Sequence, residues 1–142
     1  MTGIDSCFLI DLYWKDSPRH AGALALYESL ASGDEQILIY HNVFNEFIHV
    51  ITDARRFACP FTMREALDIR DGWSHLERVT VVYPDDMSFG RETLWLSQFG
   101  LGRNRLNDTA MAACYIQNGA SRIITANGAD FKLFKGLEVL GY

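Results

Sequence analysis

The stretch NDTAMAACYIQNGASRIITANGADF, residues 107–131, changes character partway along. Its first half is Ala-rich, carries apolar residues at helical spacing, and closes on Gly119, the residue type that best tolerates the conformation ending a helix. RIIT, residues 122–125, follows as a short apolar run of strand type, and TANGADF then leads into a polar loop. A helix feeding directly into a buried strand is half of a strand–helix–strand unit.

The same alternation extends outward in both directions. TGID (2–5), QILIY (36–40), RVTVVY (78–83) and RIIT are short strand candidates, and LEVL near the C-terminus is a fifth. Between them lie helical patterns at 6–14, 18–33, 42–57, 62–76 and 85–100. Thr62 followed by Glu65 has the spacing of a reciprocal capping box, and Gly33 and Gly100 stand at helix ends. Strands alternating with helices predict an α/β fold with a mostly parallel sheet of four to five strands, covered on both faces. Ligands of such sheets bind outside the carboxyl ends of the strands.

Composition sets outer bounds. The chain has 142 residues, 49% of them hydrophobic and 22% charged, enough for one domain spanning 1–142 with its own core. No apolar stretch approaches the roughly 20 residues of a membrane span, and a soluble cytoplasmic protein is expected. Three scattered cysteines without CxxC spacing suggest neither a disulfide framework nor a zinc site. The net charge of −5 argues against a protein that coats nucleic acid, yet ten of the thirteen basic residues are Arg, which suits discrete phosphate contacts. The four His residues have no partners at metal-ligand spacing, the Trp residues suit a core or interface, and no GxGxxG, Walker or GxSxG motif occurs.

The acidic residues are more informative. Asp5 falls at the end of the first strand, Asp130 in the loop after the fourth, and Asp108 at the start of the 107–119 helix. Glu46 shares helical spacing with Val43, Phe47 and Val50, which places it on a buried stripe. Taken singly, Asp130 suits a turn, Asp108 a helix cap, Asp5 a cap for the following helix, and Glu46 an ion pair. Taken together, they put four carboxylates at one end of a parallel sheet, as a hard cation such as Mg²⁺ or Mn²⁺ requires. Asp11 has no partner in this set. It precedes Lys15 by four residues, the spacing of a solvent-side helical ion pair.

The segments IDSCFLIDLY, NVFNEFIHV and 107–131 resemble, in that order, the acid-bearing segments of the PIN-domain family, in particular its VapC-type toxin ribonucleases. That resemblance implies a PIN-like three-layer fold and metal-dependent cleavage of RNA. It places Asp5, Glu46 and Asp108 in the core acidic trio, makes Asp130 the fourth acid, and lines the site with Thr125 and Asn127. Its implied partners are a small antitoxin, the RNA substrate and a second copy of the chain. Arg103, Arg105 and Lys132 flank the acids and are the candidate phosphate contacts. A non-catalytic PIN-like binding module and a housekeeping RNA-processing nuclease are the alternatives within that resemblance. An aspartyl-phosphate receiver or phosphatase is the alternative outside it, and IDSCF lacks the Lys or DxDxT pattern that chemistry would want.

Overall fold

The computed structural model describes all residues, 1–142. Five strands, β1 (Thr2–Ile4), β2 (Ile37–Tyr40), β3 (Val79–Val82), β4 (Arg122–Ile124) and β5 (Glu138–Leu140), form one sheet in the order β3-β2-β1-β4-β5. All four strand pairings are parallel. The connecting helices are α1 (Ser6–Tyr13), α2 (His20–Ser32), α3 (His41–Ile51), α4 (Met63–Ser74), α5 (Asp86–Gln98), α6 (Leu106–Gln117) and a single turn, α7 (Gly128–Phe131).

Strand order explains the layers. From β1 the chain steps outward to β2 and β3, then returns across β1 to β4 and β5. Right-handed crossovers in opposite directions put their helices on opposite faces. Accordingly α1 packs on α2 and α3, α3 packs on α4, and α5 pairs with α6. The reversal falls between β1 and β4, so the crevice expected of such sheets opens at the carboxyl ends of those two strands. β1, β2 and β4 are buried apart from the partly exposed Arg122, as strands covered on both faces must be.

One contact fixes α6 against the sheet. The Tyr115 ring is fully buried and lies on the backbone of β1 at Gly3, where a Cβ would come within 2.4 Å of the ring. β1 and β2 are in register at Gly3 and Leu38. Just beyond, the Tyr115 hydroxyl inserts between the strand ends, donating to the Ile4 carbonyl (2.5 Å) and accepting the Tyr40 N–H (3.0 Å). Tyr115→Phe removes both bonds and strands two buried backbone groups. Urea denaturation should show a loss of about 2 to 3 kcal/mol; a loss below about 0.5 kcal/mol would mean the hydroxyl is dispensable.

The remaining local signals show how far spacing reaches. The Thr62–Glu65 capping box forms with both reciprocal bonds, and Gly100 and Gly119 take positive φ of 59° and 82° just past their helices. The helix expected over 42–57 ends earlier, at Ile51. Asp53 accepts the backbone N–H of Arg55 (2.9 Å) and pairs with its guanidinium, a local turn that competes with helix. The Ile51 carbonyl is taken by the Phe61 N–H (3.1 Å). The loop expected around Asp130 contains the short turn of α7.

Asp11 is not on the surface. It is 2% exposed, while Lys15 points to solvent. Its carboxylate accepts from the Ser17 hydroxyl (2.6 Å), Arg19 Nε (2.7 Å) and the Tyr142 hydroxyl (2.9 Å). The reason is tertiary: the C-terminal residue and the segment entering α2 fold back over α1 and supply partners that no helical spacing reveals.

Candidate active site

Asp5 follows β1 directly, and its N–H bonds the Ile124 carbonyl of β4 (3.0 Å), so the residue sits at the reversal point of the sheet. It occupies the position preceding α1, yet its side chain caps no helix N–H. The carboxylate instead accepts from the Thr125 hydroxyl (2.6 Å), the Ser6 hydroxyl (3.3 Å) and the Cys7 thiol (3.1 Å). Asp5 and Thr125 are both nearly fully buried. Thr125 also accepts the Asn127 N–H (2.9 Å), which ties the polar loop after β4 to the acid. Burial and the neighbouring Asp5 charge push the Cys7 thiol up to about 12, so it is an inert hydrogen-bond donor here and no nucleophile.

Glu46 and Asp108 approach from opposite layers. The buried stripe of α3 is Val43, Phe44, Phe47 and Ile51, and Glu46 flanks this stripe without lying inside it. Contrary to the spacing-based expectation, it is solvent-exposed within a concavity. Its carboxylate accepts from Asn107 Nδ2 (3.1 Å), and Asn107 in turn accepts from Asn42 Nδ2 (2.8 Å), a bridge from α6 to α3 across the top of the sheet. Asp108 is in the first turn of α6 and leaves the capping position to Arg105. Partial enclosure, then the charge of Asp5, holds both carboxyls above their ordinary range; that of Asp108 reaches about 6.

Asp5, Glu46 and Asp108 line one cavity of about 360 Å³, together with Asn127. Asp130 stands beside it. Arg105 joins it to Asp108, with Nη1 at 2.9 Å from Asp130, Nε at 3.5 Å from Asp108, and a further bond to the Asp130 carbonyl. Arg105 is thus engaged by the acids, whereas Arg103 and Lys132 are exposed and free of ion pairs. No three acidic, thiol or imidazole side chains converge into a ready coordination shell. Asp5, Glu46 and Asp130 are each drawn toward a hydrogen-bond partner of their own, and Asp108 has only the Arg105 Nε at 3.5 Å. In chemistry the set nevertheless fits a hard dication: every donor is an oxygen, and the raised carboxyls are anions whose mutual repulsion such an ion would relieve.

A PIN-domain model matches residues 4–137. The chain belongs to the PIN-domain family. Among solved structures, this PIN domain is similar to VapC20 of Mycobacterium tuberculosis, described as a sarcin-ricin loop cleaving toxin, with 18% identity over 93% of this chain and 95% of that one, and a TM-score of 0.70. It is also similar to VapBC-1 from nontypeable Haemophilus influenzae, with 18% identity, coverage of 99% and 96%, and a TM-score of 0.68. A third is VapBC2 from Rickettsia felis bound to a fragment of promoter DNA, with 18% identity, coverage of 99% and 98%, and a TM-score of 0.64. No curated protein matches the chain. At these identities the likeness establishes the fold, and the α/β sheet with helices on both faces is that of these PIN domains.

Three residues of this site escaped sequence reasoning: Ser6, Cys7 and Asn107. All adjoin a predicted acid or lie one residue beyond it. The signal was adjacency to the acids in IDSC and ND, but which neighbour turns inward depends on the helix start, which spacing does not set to one residue.

Proposed function

We propose that this PIN domain is a divalent-metal-dependent endoribonuclease, the toxin of a type II toxin–antitoxin pair. The observation that carries the proposal is the meeting of Asp5, Glu46 and Asp108, from three separate elements, in one cavity at the reversal point of the sheet. Asp5, Asp108 and Glu46, with Asp130 alongside, would hold Mg²⁺ or Mn²⁺. When bound, such an ion neutralises charge on a phosphate and lowers the pKa of a water it holds.

The protein's own groups prepare that chemistry. Thr125 and Ser6 orient Asp5, Asn107 orients Glu46, and Arg105 balances Asp108 and Asp130. Arg103 and Lys132 lie on either flank in sequence and would hold phosphates of the RNA. Cleavage of single-stranded segments fits a recessed site better than cleavage of duplex. The neighbours solved as toxin–antitoxin complexes support a small antitoxin as partner. A second copy of the chain would cover the exposed apolar side chains of α5, Met87, Phe89 and Leu94. Three free cysteines suit a cytoplasmic protein, and no helix is long and apolar enough to cross a membrane.

The test is cleavage of a single-stranded RNA pool with Mg²⁺ or Mn²⁺ against EDTA, alongside thermal melting under the same conditions. Cleavage should require the ion. The melting temperature should rise by several degrees at saturating metal, since ligand at about 100 times its Kd adds roughly 2.7 kcal/mol. Metal-independent cleavage, or no cleavage and no thermal shift, would refute the proposal.

A further inference from the structure

The acids occupy one end of their cavity, and the other end is built differently. Ile10, Trp14, Val50 and Phe57 line it together with Asp11, Arg19 and Arg56, and Arg56 is paired with Asp53 at 3.6 Å. Trp14 and Phe57 pack edge to face, with ring centroids 5.1 Å apart and planes at 86°, so each holds the other in place. Arg19 is pinned as well. Its Nε bonds the buried Asp11 at 2.7 Å and its backbone N–H bonds the Ser17 hydroxyl at 3.2 Å. Neither Nη group is used within the protein, and the side chain is half exposed.

Arg19 is the cation that balances the buried charge of Asp11, and Ser17 and Tyr142 also donate to that carboxylate. What the Asp11–Arg19 pair adds is a cation held in fixed orientation with its forked end open. Fixed aromatic rings beside a preset guanidinium, in one cavity with metal-binding acids, match a nucleotide: a base to stack and a phosphate to grip. A wholly apolar partner would leave the free Nη groups of Arg19 without an acceptor.

We propose that this end of the cavity is a nucleotide subsite, in which the Trp14–Phe57 wall stacks the base next to the cleaved bond and Arg19 holds the adjoining phosphate. The proposal rests on the reading of the site as one that cleaves RNA. Asp11 is a positioning residue for Arg19, and it gives the buried Asp11 a role beyond packing.

The experiment uses a short single-stranded RNA whose cut site has been mapped with the wild-type protein, and the same RNA with an abasic nucleotide on either side of the cut. Wild-type protein, Trp14→Ala, Trp14→Phe and Arg19→Met are compared. An abasic nucleotide on one side should raise the wild-type KM about 10-fold. It should leave Trp14→Ala unaffected, and Trp14→Phe should keep the wild-type sensitivity. Arg19→Met should raise KM more than it lowers kcat and reduce the slope of log KM against log salt by about one. Equal abasic penalties in wild type and Trp14→Ala, or a wild-type KM for Arg19→Met, would overturn the subsite while metal-dependent cleavage still upheld the nuclease. RNA kinetics unchanged in every variant would assign the wall to another occupant, such as a protein side chain, and overturn it too. If the wild type cleaves no RNA with metal, both readings fall together.

Discussion

Asp108→Asn is expected to lose RNA cleavage by at least about 100-fold and yet, in EDTA, to melt at a higher temperature than the wild type. Both effects follow from holding a carboxylate in a partly enclosed cavity beside another anion. The carboxyl of Asp108 is pushed from an ordinary 3.8 to about 6 by partial enclosure and by Asp5, and the lowering influence of Arg105 is already included in that net shift. A raised carboxyl means that ionised Asp108 costs the native state stability above pH 6. An amide of the same shape removes the cost, worth on the order of 2 kcal/mol. It also removes one of the anions that would hold the metal.

The pH dependence supplies a further check on the same residue. As the pH falls from 7 through about 6, native Asp108 takes up a proton that the unfolded chain does not bind until near pH 4. The contribution of Asp108 to stability therefore rises as the pH falls from about 6 to about 4 and is complete below about 4. Urea denaturation at pH 7 and pH 5 in EDTA should show a smaller gain on acidification in Asp108→Asn than in the wild type. A variant that keeps cleavage would sink the proposed mechanism. A variant less stable than the wild type would show that the contact with Arg105 outweighs the repulsion.

Gly3→Ala is expected to be the most destabilising single methyl in the chain. Its Cβ would meet Tyr115 Cδ2 at 2.4 Å and Cε2 at 2.5 Å. The ring has no route of escape, because it is fully buried and its hydroxyl is bound at the ends of β1 and β2. Relief requires α6 to lift from the sheet, at a cost of about 3 kcal/mol or more. In a domain with roughly 5 to 15 kcal/mol of stability that is a large share.

The same displacement reaches the candidate active site. Asp5 is two residues beyond Gly3, just past the end of β1, and Asp108 is two turns before Tyr115 on α6, so a shift at the Gly3–Tyr115 contact moves the two acids relative to one another. Whatever Gly3→Ala protein remains folded should cleave RNA poorly. Thermal melting tests the first effect, and a melting temperature within about 2 °C of the wild type would remove the argument. A double variant with Tyr115→Leu should recover part of the loss, because a smaller side chain leaves room for the added methyl.

Much of this was legible from residue order alone. Strand and helix alternation, the caps at Thr62 and the glycines at 100 and 119 are local matters of φ, side-chain reach and apolar periodicity, and they placed Asp5 and Asp108 at an element's end and start. Segments of the chain likewise sufficed for the resemblance to PIN domains. Other features lay beyond local pattern. Asp11 and Lys15 have the spacing of a surface ion pair, but Asp11 is buried because Ser17, Arg19 and Tyr142 converge on it from outside the helix. Glu46 shares a stripe with apolar residues, but whether a stripe's edge is buried depends on what packs over it, and here a cavity opens there. Arg105 has the sequence setting of a phosphate contact, but α7 brings Asp130 to it. Local sequence determined which residues could form the elements and where acids would stand along them. Only the tertiary structure decided which charges face one another, because charge pairing and burial depend on through-space distance between segments far apart in the chain.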